Sequence, residues 1–150
     1  MTLDLEAAYR KTEDIIRQHS KSFHLATRWL PPAERRAVRA LYAFCRATDN
    51  LVDDPELRDC VTLEDWRALV NNPMDVQREY PVLLAWADTR VRYVVPPIYG
   101  DELIDGCEMD LRRSRYQTFN ELEHYCYCVA STVGLMAIHI LGMSPGVAYK

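Results

Sequence analysis

The sequence predicts an all-α fold of about six helices, from three observations. Apolar residues recur at helical spacing through most of the chain. Proline pairs and capping signatures (Pro31-Pro32, Thr62-Leu-Glu-Asp65, Pro96-Pro97, Thr118-Phe-Asn-Glu121) punctuate those runs where helices should start or stop. Strand-like alternation occurs only briefly, around 92–95.

The first helix is expected over 3–18, with Leu5, Ala8, Tyr9, Thr12, Ile15 and Ile16 on one side. A polar cluster, His19-Ser-Lys-Ser-Phe23, follows; Ser20 or Ser22 is placed to cap a helix end. Pro31-Pro32 opens the central helix, and Asp54-Pro55 ends it, because the residue before proline is pushed out of helical conformation. Thr62 to Asp65 reads as a capping box for a short helix through Val70, closed by Asn71-Asn-Pro73. Val82, Trp86, Thr89 and Tyr93 mark an amphipathic helix whose aromatic residues read as core. A helix from about Ile98 to Leu111 comes next. Its acidic residues Asp101, Asp105, Glu108 and Asp110, flanked by Glu102 and Arg112 to Arg115, read as a solvated face. Thr118 to Glu121 then opens the most regular helix, carrying Leu122, Tyr125, Cys126, Val129, Val133, Met136, Ala137 and Ile140. Small residues Ala130, Ser131 and Gly134 on it would admit a close neighbour. His139 reads as packed, and Gly142, Pro145 and Gly146 stop the helix.

With 150 residues, 49% apolar and 27% charged, the chain makes one globular domain. A net charge of −4 gives no bulk attraction for nucleic acid. No apolar run approaches 18 residues, so neither a membrane span nor a secretory signal is expected. The acidic start also argues against an organellar transit peptide. The five cysteines are odd in number and lack metal-binding spacing, which suits reduced thiols in the cytoplasm.

The chemistry concentrates in the central helix. At 100° per residue, Tyr42, Arg46, Asp49 and Asp53 fall within roughly 60° of one another. A phenol, a guanidinium and two carboxylates thus share one ridge. Apolar residues flank it (Val38, Leu41, Cys45, Val52), with a second set on the far side (Ala37, Ala40, Phe44, Ala47, Leu51). Only a strip through Arg35, Arg36, Arg39 and Asn50 reads as freely solvated. Two carboxylates one turn apart suit Mg²⁺, which takes one or two carboxylates plus phosphate oxygens and water. A nearby arginine offers a bidentate fork to the same phosphate. The competing reading is a salt-bridged helix face in which Arg46 pairs with Asp49 and Asn50.

His19-Ser-Lys-Ser-Phe23, Tyr42-Ala-Phe-Cys-Arg46 and Asp49-Asn-Leu-Val-Asp53 together resemble the squalene/phytoene synthase family. Asp105-Gly-Cys-Glu-Met-Asp-Leu111 with Arg115-Tyr116, and Tyr125-Cys-Tyr-Cys-Val-Ala-Ser-Thr-Val-Gly-Leu-Met136, extend the resemblance, closest to phytoene synthases. It implies an isoprenoid synthase bundle around an apolar cavity. The activity implied is head-to-head (1'-1) condensation of two prenyl diphosphates through a cyclopropyl diphosphate. Geranylgeranyl diphosphate would be the substrate of a phytoene synthase, and farnesyl diphosphate that of a squalene or dehydrosqualene synthase.

By resemblance, Asp49 and Asp53 would bind Mg²⁺, with Mn²⁺ as an alternative. His19, Ser20, Lys21, Ser22, Phe23, Tyr42 and Arg46 would meet the diphosphate or its approach. Tyr125 would stand near the reacting carbons, and Val129, Ala130 and Gly134 would line the isoprenoid channel. Asn50 replaces a second adjacent acid found in many relatives. The family's members are longer, and their carboxy-terminal half carries a second acid cluster of the form N-x-x-R-D-x-x-x-D, unmatched here. The chain is therefore expected to be the amino-terminal portion of one synthase domain, inactive alone. The alternative is a non-catalytic helical subunit that meets a complementary chain carrying the second cluster. A cytoplasmic protein with peripheral membrane contact completes the expectation.

Overall fold

The computed structural model describes residues 2–72, 74 and 76–142. Every regular element in them is helical: α1 (Thr2–His19), α2 (Lys21–Thr27), α3 (Pro32–Asp53), α4 (Pro55–Cys60), α5 (Leu63–Asn71), a 3₁₀ turn (Val76–Glu79), α6 (Pro81–Arg92), α7 (Pro97–Arg112), α8 (Phe119–Cys126), a π segment (Tyr127–Ser131) and α9 (Thr132–Leu141). The expected helices stand, with short α2 and α4 added between them. Pro73, Pro145 and Gly146, invoked as breaks above, lie outside the described residues.

The local signals act largely as read. Ser20 caps α2, its Oγ accepting the Phe23 N–H at 3.3 Å. Asp54 ends α3 and also caps α4, with Oδ1 accepting the Glu56 N–H at 2.9 Å. The Arg58 guanidinium donates to the Val52 carbonyl, satisfying part of the negative end of α3. The Thr62/Asp65 box is complete. At α8, Thr118 accepts from the Glu121 N–H at 3.2 Å, and Glu121 reaches back one residue further, to the Gln117 N–H at 2.9 Å.

α3 is the hub, packed on α1, α6, α7 and α9. Its Phe44 is fully buried and stacks on Trp86 of α6, centroids 5.1 Å apart and rings 6° from parallel. Gly100 of α7 faces the same ring, where an added Cβ would stand 3.7 Å from Phe44 Cζ. Trp66 of α5 donates its Nε1–H to Thr48 Oγ1 at 3.0 Å. Cys128 is buried while Cys126 is exposed, so the two thiols face different sides, and all five cysteines are free.

The solvated strip expected on α3 needs correction. Arg39 is only 7% exposed and Arg35 and Arg36 are half-buried, because α1 and α2 cover that side, and Asn50 is half-buried further along the helix. Arg39 donates to Glu13 Oε1 at 3.0 Å, Thr27 Oγ1 at 3.2 Å and the His24 carbonyl at 3.3 Å, joining three helices. Arg36 lies over the Tyr9 ring at 3.8 Å and pairs with Glu6. Helix periodicity gives a face its angle, but whether another helix lies over charged residues depends on the long stems they can pack.

A second correction concerns hydropathy. The continuous 119–141 helix is long and apolar enough, by length and composition, to cross a membrane. The sequence lacks an unbroken apolar run, yet its Asp, Glu, Lys and Arg residues within this span are confined to Glu121 and Glu123. Cys128, Thr132, Met136 and Ile140 are buried at four-residue intervals, and this side packs on α3 and α7 as one member of the bundle.

The end of α6 is strained. Val94 has φ = 51°, the one positive φ at a non-glycine among the described residues. It occupies the left-handed position of a Schellman motif: the Val95 N–H donates to the Arg90 carbonyl (2.9 Å) and the Val94 N–H to Val91 (3.4 Å). A β-branched residue there costs about 1 kcal/mol or more. Val94→Gly should therefore raise unfolding free energy by about 1 kcal/mol in urea titration.

Candidate active site

The ridge on α3 survives folding. Phe23 of α2 stacks on Tyr42, centroids 5.0 Å apart, so the 19–23 cluster is docked at the start of the ridge. His19, Lys21 and Ser22 remain exposed there. This short helix between α1 and α3 was unread in the sequence, where only its serine cap was legible.

The salt-bridged alternative finds no support. No ion pair joins Arg46 to Asp49 or Asp53 among the described residues, and Arg46 Nε is buried without a hydrogen-bond partner. A buried guanidinium nitrogen left unpaired is costly unless an acceptor arrives. By contrast, Asp101 and Asp105 are both taken up by Arg67, and Asn71 donates to Asp101 Oδ1 at 2.8 Å. That acidic pair belongs to a structural ion-pair network with α5, where the sequence suggests only a solvated helix face.

Asp49 and Asp53 project one turn apart without a cationic partner among the described residues. Asp49 Oδ1 accepts from the Cys107 thiol of α7 at 3.5 Å. Burial against that helix raises its pKa above the usual carboxylate range. Repulsion from Asp53 and Asp110 adds to this, while Cys107 and Arg46 counter it. Burial likewise pushes the Cys45 thiol up to about 12, with Asp49 adding to the effect.

Asp110 is the residue the sequence reading passed over. It is exposed, as a solvated face implies, and its charge nonetheless reaches Asp49 of α3. Its Oδ2 accepts the Tyr125 hydroxyl at 3.1 Å. Tyr116 stacks on Tyr125 with centroids 5.0 Å apart, its own hydroxyl buried and unpaired. Burial, then the bond to Asp110, lifts Tyr125 to about 12, so it stays protonated at neutral pH. The available signal was that Asp110 lies three residues from apolar Cys107 and so shares its helix face.

The helix carrying Tyr125 is held on α7 at Gly106. A Cβ at Gly106 would stand 2.7 Å from Val129 Cγ1 and 2.8 Å from Cys128 Cβ. Its absence lets the π segment press against α7, and a π bulge shifts the phase of side chains beyond it. Val129 therefore meets α7. Ala130 and Gly134 are exposed, and nothing lies within 4 Å of where a Gly134 Cβ would be.

Two oxygen-donor carboxylates at i,i+4, uncompensated and next to an orphaned arginine nitrogen, fit a hard divalent cation with an anionic co-ligand. Among the described residues no three His, Cys, Asp or Glu converge on one point. The pair could hold such an ion only with further oxygens from water or from the anion itself.

The profile of the squalene/phytoene synthase family matches residues 16–149. The chain belongs to that family. It is 41% identical over 143 residues to a chloroplastic phytoene synthase of Daucus carota, spanning 94% of this chain and 36% of that one. It is 40% identical over 144 residues to a 15-cis-phytoene synthase of a Synechocystis strain, spanning 95% and 43%. Its fold matches the crystal structure of a dehydrosqualene synthase in complex with ligand, at TM-score 0.76 and 29% identity, covering 92% of this chain and 48% of that one. The chain thus spans less than half the length of these relatives. The all-α isoprenoid synthase architecture expected from the motifs is the one observed.

Proposed function

We propose that this squalene/phytoene synthase family chain carries the diphosphate-ionising side of a Mg²⁺-dependent prenyltransferase. The reaction is 1'-1 condensation of two geranylgeranyl diphosphates through a cyclopropyl diphosphate. The names of the 41% and 40% identical relatives favour that substrate over farnesyl diphosphate. The dehydrosqualene synthase of similar fold keeps the shorter substrate as the second reading.

The observation that carries the reading is the orphaned Arg46 Nε on the same ridge as two uncompensated carboxylates. Arg46 forms no ion pair with Asp49 or Asp53 among the described residues, so all three keep hydrogen-bonding and coordination capacity for a ligand carrying both charges. A metal diphosphate is such a ligand. Bound Mg²⁺, or Mn²⁺, would neutralise charge developing on the leaving diphosphate. Arg46 would donate to the diphosphate oxygens, and Asp49 and Asp53 would hold the ion. His19, Ser20, Lys21 and Ser22 would meet the diphosphate from α2, with Phe23 stacked on Tyr42 fixing that helix. Tyr125, oriented by Asp110, would present a protonated phenol beside the allylic carbons. Ala130 and Gly134 would offer a smooth wall to the prenyl chain, and Val129 would support it from the α7 side.

We further propose that these residues form one side of the site. The chain covers 36% and 43% of the two relatives' lengths, and no group of three or more His, Cys, Asp or Glu residues able to hold a metal ion is assembled among the described residues. Calorimetric titration with geranylgeranyl diphosphate should show binding with Mg²⁺ and none with EDTA, without formation of phytoene. Equal binding in both buffers would remove the metal role, and phytoene made by this chain alone would remove the one-sided reading. No binding under either condition would favour the non-catalytic subunit.

A further inference from the structure

α2 is seven residues long, too short to be stable without help from its neighbours, and it carries most of the 19–23 cluster. Two contacts with α3 set its direction. Phe23 stacks on Tyr42, while Thr27, one turn further along α2, meets Arg39, one turn nearer the start of α3. Residue numbers rise along one helix as they fall along the other. α2 therefore runs antiparallel to α3, with Ser20 at the end nearer Arg46. Arg46 follows Arg39 by seven residues, two turns along the same side of α3 and about 10 Å away.

Arg39 anchors the far end of α2. Its side chain is buried, and all three of its nitrogens donate. Nε reaches Thr27 Oγ1 at 3.2 Å, Nη2 the His24 carbonyl at 3.3 Å and Nη1 Glu13 Oε1 of α1 at 3.0 Å. Thr27 is itself buried and donates onward to the Phe23 carbonyl at 2.9 Å. The guanidinium thus holds two backbone carbonyls of α2, one directly and one through Thr27. Filling the space between α1, α2 and α3 calls only for an apolar side chain, and a buried charge is costly to desolvate. What the planar fork adds is direction, because its bonds are all satisfied at one setting of α2 against α3.

We propose that Arg39 is a positioning residue for the diphosphate, a role that rests on the metal–diphosphate reading of the α3 ridge. Arg39 touches no ligand. It fixes α2 from the end away from the site, so that Ser20, Lys21 and Ser22 are held ready for a diphosphate bound at Arg46, Asp49 and Asp53. Without it α2 would pivot on the Phe23–Tyr42 stack, and the cluster would have to be ordered at the moment of binding.

Two measurements on this chain test the role. The first needs no ligand. Amide hydrogen exchange over 20–27 should quicken by about tenfold or more in Arg39→Met, while α6 and α7 keep the parent's protection. The second is calorimetric titration with Mg²⁺ and inorganic pyrophosphate, which Arg39→Met should bind about tenfold more weakly. Lys21→Ala removes a donor of the cluster and should weaken the parent by a similar factor. In Arg39→Met it should cost little more, because the donor is already out of place. Asp49→Asn should keep its full effect in both backgrounds. Thr27→Val cuts the bonds to Arg39 and the Phe23 carbonyl and should reproduce the loss, whereas Thr27→Ser keeps the hydroxyl and should bind as the parent does. This Thr27 pair decides the matter if Arg39→Met does not fold.

Losses from Lys21→Ala and Arg39→Met that simply multiply would make Arg39 part of the general packing and overturn the proposal. Parent-like exchange over 20–27 in Arg39→Met, or equal affinities for Thr27→Val and Thr27→Ser, would do the same. A parent that binds no Mg²⁺ pyrophosphate, with exchange over 20–27 still quickened in Arg39→Met, would leave Arg39 holding α2 and remove the diphosphate reading instead.

Discussion

Asp49→Asn should abolish most Mg²⁺-dependent binding of geranylgeranyl diphosphate while making the free protein more stable. The loss expected is about a hundredfold in affinity, equivalent to about 2.8 kcal/mol at 1.4 kcal/mol per decade. The carboxylate is partly desolvated beside Cys107 and repelled by Asp53 and Asp110. These effects outweigh the help of Cys107 and Arg46 although the side chain keeps contact with solvent, so its charge is less favourable than in a free aspartate until a cation arrives. The neutral amide keeps the shape and removes that charge. The sign follows from linkage: a folded-state pKa above the unfolded value means the native state binds more protons between the two. Stability from this group is thus greatest at acid pH and falls as pH rises through the raised pKa, so its cost is present at neutral pH. Mg²⁺ binding has the opposite dependence, weakening as pH falls into that window because proton and metal compete for the same oxygens. Calorimetry for affinity and thermal melting at pH 5 and 7.5 check both arms. Wild-type affinity in the variant, or a lower melting temperature at neutral pH, would contradict the assignment of Asp49.

Phe44→Ala should cost about 3–5 kcal/mol of unfolding free energy. Phe44 is fully buried, lies flat on Trp86 and faces Gly100, so truncation leaves a void among α3, α6 and α7. The gap lies two residues from Arg46 on the same helix, so α3 should lose its fixed rotation against α7 as well. Denaturant titration should show the loss. Phe119→Ser, at a side chain 75% exposed, should change stability little in the same experiment. Comparable losses for the two would mean that α3 is not the hub of this core.

What the sequence by itself determined was local and periodic. Proline pairs, Ser20, Asp54, Thr62 and Thr118 set helix ends through the bonds their own side chains and rings allow. The spacing of Tyr42, Arg46, Asp49 and Asp53 fixed them on one ridge whatever lay opposite, and the motif order pointed to the family. Tertiary structure decided what faces that ridge. The 3.6-residue period gives each helix a phase but leaves its rotation against a neighbour open. Hence Asp110 is solvated as its helix face suggests, while its bond to Tyr125 and its charge beside Asp49 exist only once α7 is docked by Phe44–Gly100 and Asp49–Cys107. Arg39 read as solvated for the same reason, until α1 and α2 closed over it. The π segment depends on the missing Cβ of Gly106 on another helix, a constraint that exists only once the two are in contact.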